Sequence, residues 1–555
     1  MNPLPRRPLA GIALAFIAGT GLGLATPLTP LIPFGVALGA LALATLFDMH
    51  HRRQARPQGV LAAPCVAVTI LLHVASLAVG WANARLERMT DEGGSIADVM
   101  QLPAPGAELI GVVADTPIST RCKNGRLQWK FPLAAEKVRR HRWRAWQPVK
   151  GSVSVRLYTS VGERVPGYGE RWALGGFLGQ TLYRQGLLKG RPAGHYLAAG
   201  GARSVFITEG QGNRWIARCL AIRSWAAARL SHGIEDNPQA VGTLHSLLLG
   251  FRSQVPRELY QAYASTGTLH VLAISGSHVV ILAGALIYAL AACGLSRTRW
   301  ILALAPLLVL YTVMTGLQPS AVRACLMGIA YWSAPLFGRK PDVYTALAAA
   351  AILILAVVPG DLLNIGFILS FVAVLGLALY CPIFTAPFRQ CFRRDPLRLT
   401  PDTPWEARGR AVWRAIGDLI ALTAAAWLVT APLTALFFGT LSPVGLVGNL
   451  LAVPLASLII VTGALSLAAG TVAAVFADLF NHANLGLAVA LTRSIEGFAA
   501  IPYGCLPVGT PPPWIPALFY AVLLAWRFRL WVIQPAPVSA AGDAARVPEG
   551  QWETL

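Results

Sequence analysis

The chain has 555 residues, of which 55% are hydrophobic and only 13% charged, and its formal net charge at pH 7 is +21. With a mean hydropathy of +0.55, this composition excludes an ordinary soluble globular protein and predicts a polytopic α-helical membrane protein. The basic excess fits cytoplasmic loops rich in Lys and Arg, and equally an extramembrane domain that attracts polyanions.

Apolar runs of spanning length lie at about 9–25, 31–47 and 60–82. Arg6 and Arg7 precede the first run and the second follows almost at once, so a retained helical hairpin is expected rather than a cleaved leader. No further span occurs before Thr268. The interval holds short candidate strands at 108–114, 127–133, 152–158, 171–178 and 203–208, separated by Gly, Pro and Asn. Five strands suit a small β-barrel inserted between membrane helices. An OB-fold matches that count, and OB-folds bind single-stranded nucleic acid through a basic groove with aromatic platforms; the pattern does not separate it from other small barrels.

Next, the stretch 215–230 alternates Arg218, Arg223 and Arg229 with Ile216, Leu220, Ile222 and Trp225, which reads as an interfacial amphipathic helix. Further spans are expected near 268–292, 299–316, 320–337, 342–358, 362–380, 411–437, 443–470 and 514–533, while 449–455 and 478–498 are re-entrant or interfacial alternatives. The expected organisation is N-terminal membrane helices over 1–84, an extracytoplasmic OB-fold-like barrel over 85–211, amphipathic helices over 212–266, a helical membrane domain over 267–535 and a cytoplasmic tail over 536–555.

Loop charge gives the orientation. The short basic segments at Arg6–Arg7, His50–Arg56, Arg297–Arg299, Arg339–Lys340 and Arg389–Arg410 are assigned to the cytoplasm. The barrel, the uncharged 316–320 turn and the 359–361 turn then fall outside.

Three motifs carry candidate chemistry. Lys137, Arg139, Arg140, Arg142, Arg144 and Lys150 surround Trp143 and Trp146 with no acidic residue between 139 and 146. Such a run suits phosphate contacts and base stacking, or a hairpin tip resting on lipid headgroups. The apolar stretch from Leu269 carries His270, Ser275, Gly276, Ser277 and His278. Polar groups at membrane depth pair internally or line a wet cavity, and a break at 275–277 would turn backbone dipoles toward a lumen. A Ser/His hydrolase and a transporter of a smaller anionic solute are the alternatives. Ser320 and Arg323 open the helix after Pro319, where the guanidinium either snorkels or meets a phosphate at a channel mouth. The spacing of Gly366, Ser370, Ala373 and Gly376 reads as close helix packing. The eight cysteines are scattered, with no C-x-x-C pair, so no metal or cofactor is expected; a Cys122–Cys219 disulfide stays open.

Leu248–Arg252, Thr266–His270, Ile274–His278, Pro319–Arg323, Gly366–Gly376 and Asn449–Pro454, in that order, together with the Gly190–Leu197 end of the inserted domain, resemble the ComEC competence family. The resemblance implies a DNA-uptake channel of the inner membrane and not an enzyme. The periplasmic OB-like domain would receive DNA, and helices around His278 and Arg323 would pass a single strand inward. It also implies partners: a periplasmic DNA receptor, a cytoplasmic motor or helicase, single-strand-binding proteins and a separate nuclease. Ser277, Val280 and Asn364–Ile368 depart from the family pattern, so channel roles are not carried over there. Neither an H-x-H-x-D-H run nor a G-x-x-x-x-G-K-[ST] run occurs, so nuclease and motor chemistry are not expected of this chain.

Overall fold

The computed structural model describes residues 8–26, 29–55, 66–91, 94, 96–121, 126–140, 145–160, 163–183, 187–391, 403–471 and 474–533. Arg142, Trp143, Arg144, Cys122, half of the 389–410 segment and the C-terminal tail lie outside these residues, and so do the expectations that fall on them.

Three apolar helices come first: α1 (Pro8–Ala25), α2 (Leu31–Ala55) and α3 (Val66–Asp91). α1 and α3 meet backbone to backbone because a glycine on each faces the backbone of the other. A Cβ on Gly19 would stand 1.8 Å from the Leu77 carbonyl oxygen, and one on Gly80 would stand 2.3 Å from that of Phe16. Small residues let membrane helices approach this closely and gain van der Waals contact.

After the single turn α4 (Ile96–Val99) come β1 (Ala104–Val113), β2 (Ile118–Arg121), β3 (Leu127–Arg140), β4 (Gln147–Pro148), β5 (Ser152–Thr159), β6 (Arg171–Leu182) and β7 (Pro192–Thr208). Each expected strand falls mainly within an observed one. β2, β4 and the first half of β7 were not expected, since Gly194, Gly200 and Gly201 interrupt the apolar alternation there. The sheet runs β1-β6-β7-β5-β3-β2, and β1 pairs with β3 as well, so the five long strands close into a ring. β5 and β7 are parallel and the other pairs of the ring antiparallel. Closure needs β1 to turn from one partner to the other. Its register shifts at Ile110/Gly111, where a Cβ on Gly111 would stand 2.3 Å from the Ala134 carbonyl oxygen.

Alternation fills the interior. β5 sends Val153, Val155 and Leu157 inward and Ser152, Ser154 and Arg156 outward. Leu109, Leu133, Leu174, Leu178 and Leu197 join them in one core, each full burial contributing about 1.5–3 kcal/mol before entropy.

The remaining chain is helical: α5 (Arg214–Ser231), α6 (Pro238–Leu249), α7 (Arg257–Ser265), the single turn α8 (Leu269–Leu272), α9 (Gly276–Ala292), α10 (Arg297–Met314), α11 (Pro319–Ser333), α12 (Val343–Val357), α13 (Ile365–Cys391) and α14 (Pro404–Phe438). Then follow β8 (Thr440–Leu441), α15 (Val444–Ala469), α16 (Ala474–Ala499), β9 (Leu506–Pro507) and α17 (Trp514–Ile533). Among the described residues six helices are long and apolar enough to cross a membrane, those at α2, α3, α13, α14, α15 and α16. The protein is thus a polytopic helical protein with an inserted β domain.

The 478–498 stretch, open above between a span and an interfacial helix, lies in α16. Its asparagines explain the weak apolar signal: the Ser466 hydroxyl of α15 donates to Asn481 at 2.7 Å, Thr462 donates to Asn484, and both asparagines are fully buried. β8 pairs with β9, which ties the end of α14 to the end of α16.

α5 differs from the expected interfacial helix. Arg223 is 1% exposed and pairs with Asp115 at 2.9 Å, and Arg229 donates to the Gly470 carbonyl at 2.8 Å. Two of the three arginines therefore bind protein, while Arg218, Trp215, Ile222 and Trp225 stay exposed. Arg223 also donates to the Leu249 carbonyl and lies 4.0 Å over the Phe251 ring, so it joins the loop after β1 to the end of α6. Burial lowers its pKa and the Asp115 carboxylate opposes that shift.

Candidate functional site

The segment expected as one helix over 268–292 is two. A non-helical stretch at Ala273–Ser275 separates α8 from α9. Carbonyls around the break lose their helical partners and must find others. Ser246 of α6 donates to Leu272 at 3.0 Å, Ser320 of α11 donates to Ile274, and Ser442 donates to Ser265 at 2.8 Å. Two hydroxyls thus hold the break itself, and the third holds the end of α7 before it.

Ser275 is the N-cap of α9. Its hydroxyl meets His278 Nδ1 at 2.8 Å and Ser277 Oγ at 2.6 Å, and its backbone N–H donates to the same Nδ1 at 3.1 Å. Because Nδ1 accepts that N–H, the neutral ring carries its proton on Nε2. His278 is 1% exposed and Nε2 has no hydrogen-bond partner. A hydrolytic pair needs a group to orient the imidazole from its far nitrogen. Among the described residues none meets Nε2, and the Ser275–His278 contact is a capping box. His270 Nδ1 turns back to the Gly267 carbonyl at 3.2 Å.

α11 begins beside this break. Ser320 reaches Ile274, and a Cβ on Gly276 would stand 3.7 Å from that of Ala324. Arg323 turns the other way. Its Nη2 would stand 3.5 Å from a Cβ on Gly366, at the first turn of α13, where Asn364 accepts from the Gly366 N–H at 2.9 Å. The guanidinium is 5% exposed and its Nε has no partner; Asp361 attracts it through space. The structure therefore gathers Ser275, Gly276, Ser277, His278 and Ser320 on one side of α11 and sets Arg323 on another. The first turn of α11 thus adjoins that of α9 on one side and that of α13 on another, each an end where backbone N–H groups and the helix dipole favour anions. At its other end the expected packing face holds: Gly376 faces Val429 so closely that a Cβ would meet it at 2.5 Å.

The basic run of the barrel is less free than its sequence suggests. Arg139 donates to Glu108 on β1 and lies 4.3 Å over the Trp146 ring, so its charge and one indole face are both engaged. Lys137, Arg140 and Lys150 are exposed. Sequence reasoning missed a second group. Phe177 on β6, Tyr196 on β7, Arg156 on β5 and Lys130 on β3 occupy outward positions, Phe177 and Tyr196 with centroids 6.2 Å apart and Arg156 5.5 Å over Tyr196. One residue per strand leaves no local signal.

The Competence protein family model matches residues 247–532, just over half of the chain. The chain belongs to this family. It is 36% identical over 147 residues to ComE operon protein 3 of Bacillus subtilis (strain 168), covering 26% of this chain and 19% of that protein. It is 29% identical over 318 residues to the uncharacterized protein YcaI of Escherichia coli (strain K12), covering 53% of this chain and 37% of that one. The matches thus span well under two thirds of these relatives. No solved structure matches.

Proposed function

We propose that this competence-family protein takes up DNA, as an inner-membrane channel whose barrel binds the incoming molecule outside and whose helices pass a single strand to the cytoplasm. The observation that carries the reading is the buried Arg323 guanidinium, which among the described residues lacks a hydrogen-bond partner at Nε and faces the first turn of α13, on a helix whose own first turn packs against a broken helix held by serine hydroxyls. Phosphodiesters suit such a place: they accept from backbone N–H groups and from a planar guanidinium fork.

The ring order supports an OB-like barrel, with β1, β3, β5, β6 and β7 as its five strands. Orientation gains support from contacts. Asp115 pairs with Arg223 beside Gly316, and Glu87 of α3 accepts from the Gly360 N–H, which puts the loop after β1 and the end of α3 against the two turns that loop charge assigns outside. In this reading the barrel domain occupies 85–211, the amphipathic helices 212–266 and the channel 267–535. Lys137, Arg140, Arg142, Trp143, Arg144, Trp146 and Lys150 add to DNA capture, and His270, Ser275, Ser277, His278, Ser320 and Arg323 line the path. A periplasmic receptor, a cytoplasmic motor, single-strand-binding proteins and a separate nuclease complete the machine. The capping-box role of Ser275 weighs against a hydrolase.

The test is DNA internalisation in cells carrying His278→Ala or Arg323→Ala at normal protein level. Surface-bound DNA should stay near wild type while internalised DNA is lost, and Arg323→Lys should restore part of it only if charge without a bidentate fork suffices. Full internalisation by both alanine variants would remove these residues from the path.

A further inference from the structure

A cleft of about 790 Å³ lies between the barrel and the helices after it, lined by Ser119 and Lys130 on one wall and Arg252, Ser253, Arg257 and Tyr260 on the other. That volume falls within the range of ligand sites. Three cations line the cleft against one carboxylate, Glu235. Arg252 Nε and Ser253 Oγ are buried with no hydrogen-bond partner among the described residues. Burial lowers the Arg252 pKa, the cost of a cation removed from water.

Lys130 belongs to two features at once. It lines the cleft, and it stands directly opposite Arg156 across β3 and β5. Like charges so placed repel, and an anion lying over both is attracted by both. Arg156 covers Tyr196, whose ring lies across Gly179, where a Cβ would stand 2.8 Å from it, and Tyr196 adjoins the exposed Phe177. Phe177, Tyr196, Arg156 and Lys130 thus cross four neighbouring strands, three strand spacings or about 14 Å. Aromatic faces followed by cations are what a single strand uses, stacking its bases and pairing its phosphates.

We infer that single-stranded DNA leaves the barrel along Phe177, Tyr196, Arg156 and Lys130 and enters the cleft, where Arg252 and Arg257 hold its phosphates before the helical domain. This rests on the DNA-uptake reading and names a path made of other residues than the basic hairpin run. Arg252 and Ser253 are the receiving groups, and the strand passes under α6 and α7 on its way to α8.

The experiment uses the full chain in lipid nanodiscs and a fluorescein-labelled oligo-dT, with anisotropy read across a salt series. Arg156→Ser combined with Arg252→Gln should weaken binding about tenfold or more and reduce the log–log salt slope by about 1.4, two phosphates at 0.7 each. A photo-crosslinker at Ser119 should capture the oligonucleotide, and Arg252→Lys should keep most of the capture. If wild type binds while the double variant keeps its affinity and slope and Ser119 captures nothing, the path is wrong and DNA binding stands. If wild type does not bind the oligonucleotide at all, both readings fall.

Discussion

The barrel and the helical bundle meet the same demand in different ways. Every buried backbone polar group needs a partner. The barrel satisfies its groups by closing the ladder on itself, so its side chains are free to be simple: Val and Leu inside, ion pairs such as Arg171–Glu136 and Arg164–Glu170 outside. The bundle breaks its helix at Ala273–Ser275 and meets the cost with Ser246 and Ser320, caps the end of α7 with Ser442, and joins α15 to α16 through Ser466 and Asn481. Side chains serve as packing in the barrel and as backbone substitutes in the bundle. One prediction follows for each, and a larger one for the joint between them.

The joint is Arg223 with Asp115. Removing one partner of a buried pair leaves an uncompensated charge, and Asp115→Ala is expected to cost about 3 to 5 kcal/mol. Thermal unfolding of the purified protein in detergent reads this as a large drop in midpoint. Arg223→Met with Asp115→Leu should recover most of the loss, since two apolar groups demand no counter-charge. A midpoint unchanged by Asp115→Ala would mean that the two regions are held together elsewhere.

How far the sequence revealed this arrangement differs by region. β5 was legible because strict alternation marks a strand with one wet face, and the 269–292 segment was legible as unusual because histidines and serines interrupt an apolar run. A small barrel was expected from the strand count, but the strand order that closes it was not legible, since it depends on β1 meeting both β3 and β6. Arg139 and Arg223 were misread for one reason. Their partners, Glu108 and Asp115, lie 31 and 108 residues away, and a periodic pattern records a face without recording what covers it. The cleft was invisible for the same cause: its walls come from β2, β3 and the helices α5 to α7.

The bundle's use of hydroxyls can be broken singly. Ser320→Ala strands the Ile274 carbonyl and Ser246→Ala strands that of Leu272; each is expected to cost about 1 to 3 kcal/mol, the penalty for a buried acceptor left unpaired. Ser→Thr at either position keeps the hydroxyl and should keep more of the stability. If alanine at both positions leaves the unfolding midpoint where it was, the break does not depend on these donors and the contrast with the barrel is weaker than the geometry implies.

The smallest effect belongs to the barrel surface and follows from Glu170. Burial would raise its pKa, but the Gly167 N–H at 2.9 Å, the Trp172 indole N–H at 2.8 Å and Arg164 at 3.0 Å outweigh it, and the folded value lies below the ordinary 4.5. A carboxylate depressed on folding stabilises the protein above its unfolded pKa, and that contribution is lost as the pH falls through the folded value. Glu170→Gln should therefore lower the unfolding midpoint slightly at neutral pH, by an amount equivalent to under about 1 kcal/mol since Arg164 is half exposed. The gap between wild type and variant should narrow as the pH falls below 4.5 and close beneath the folded value. A gap that stays constant down to that pH would show that Glu170 acts through the shape of its hydrogen bonds and not through its charge.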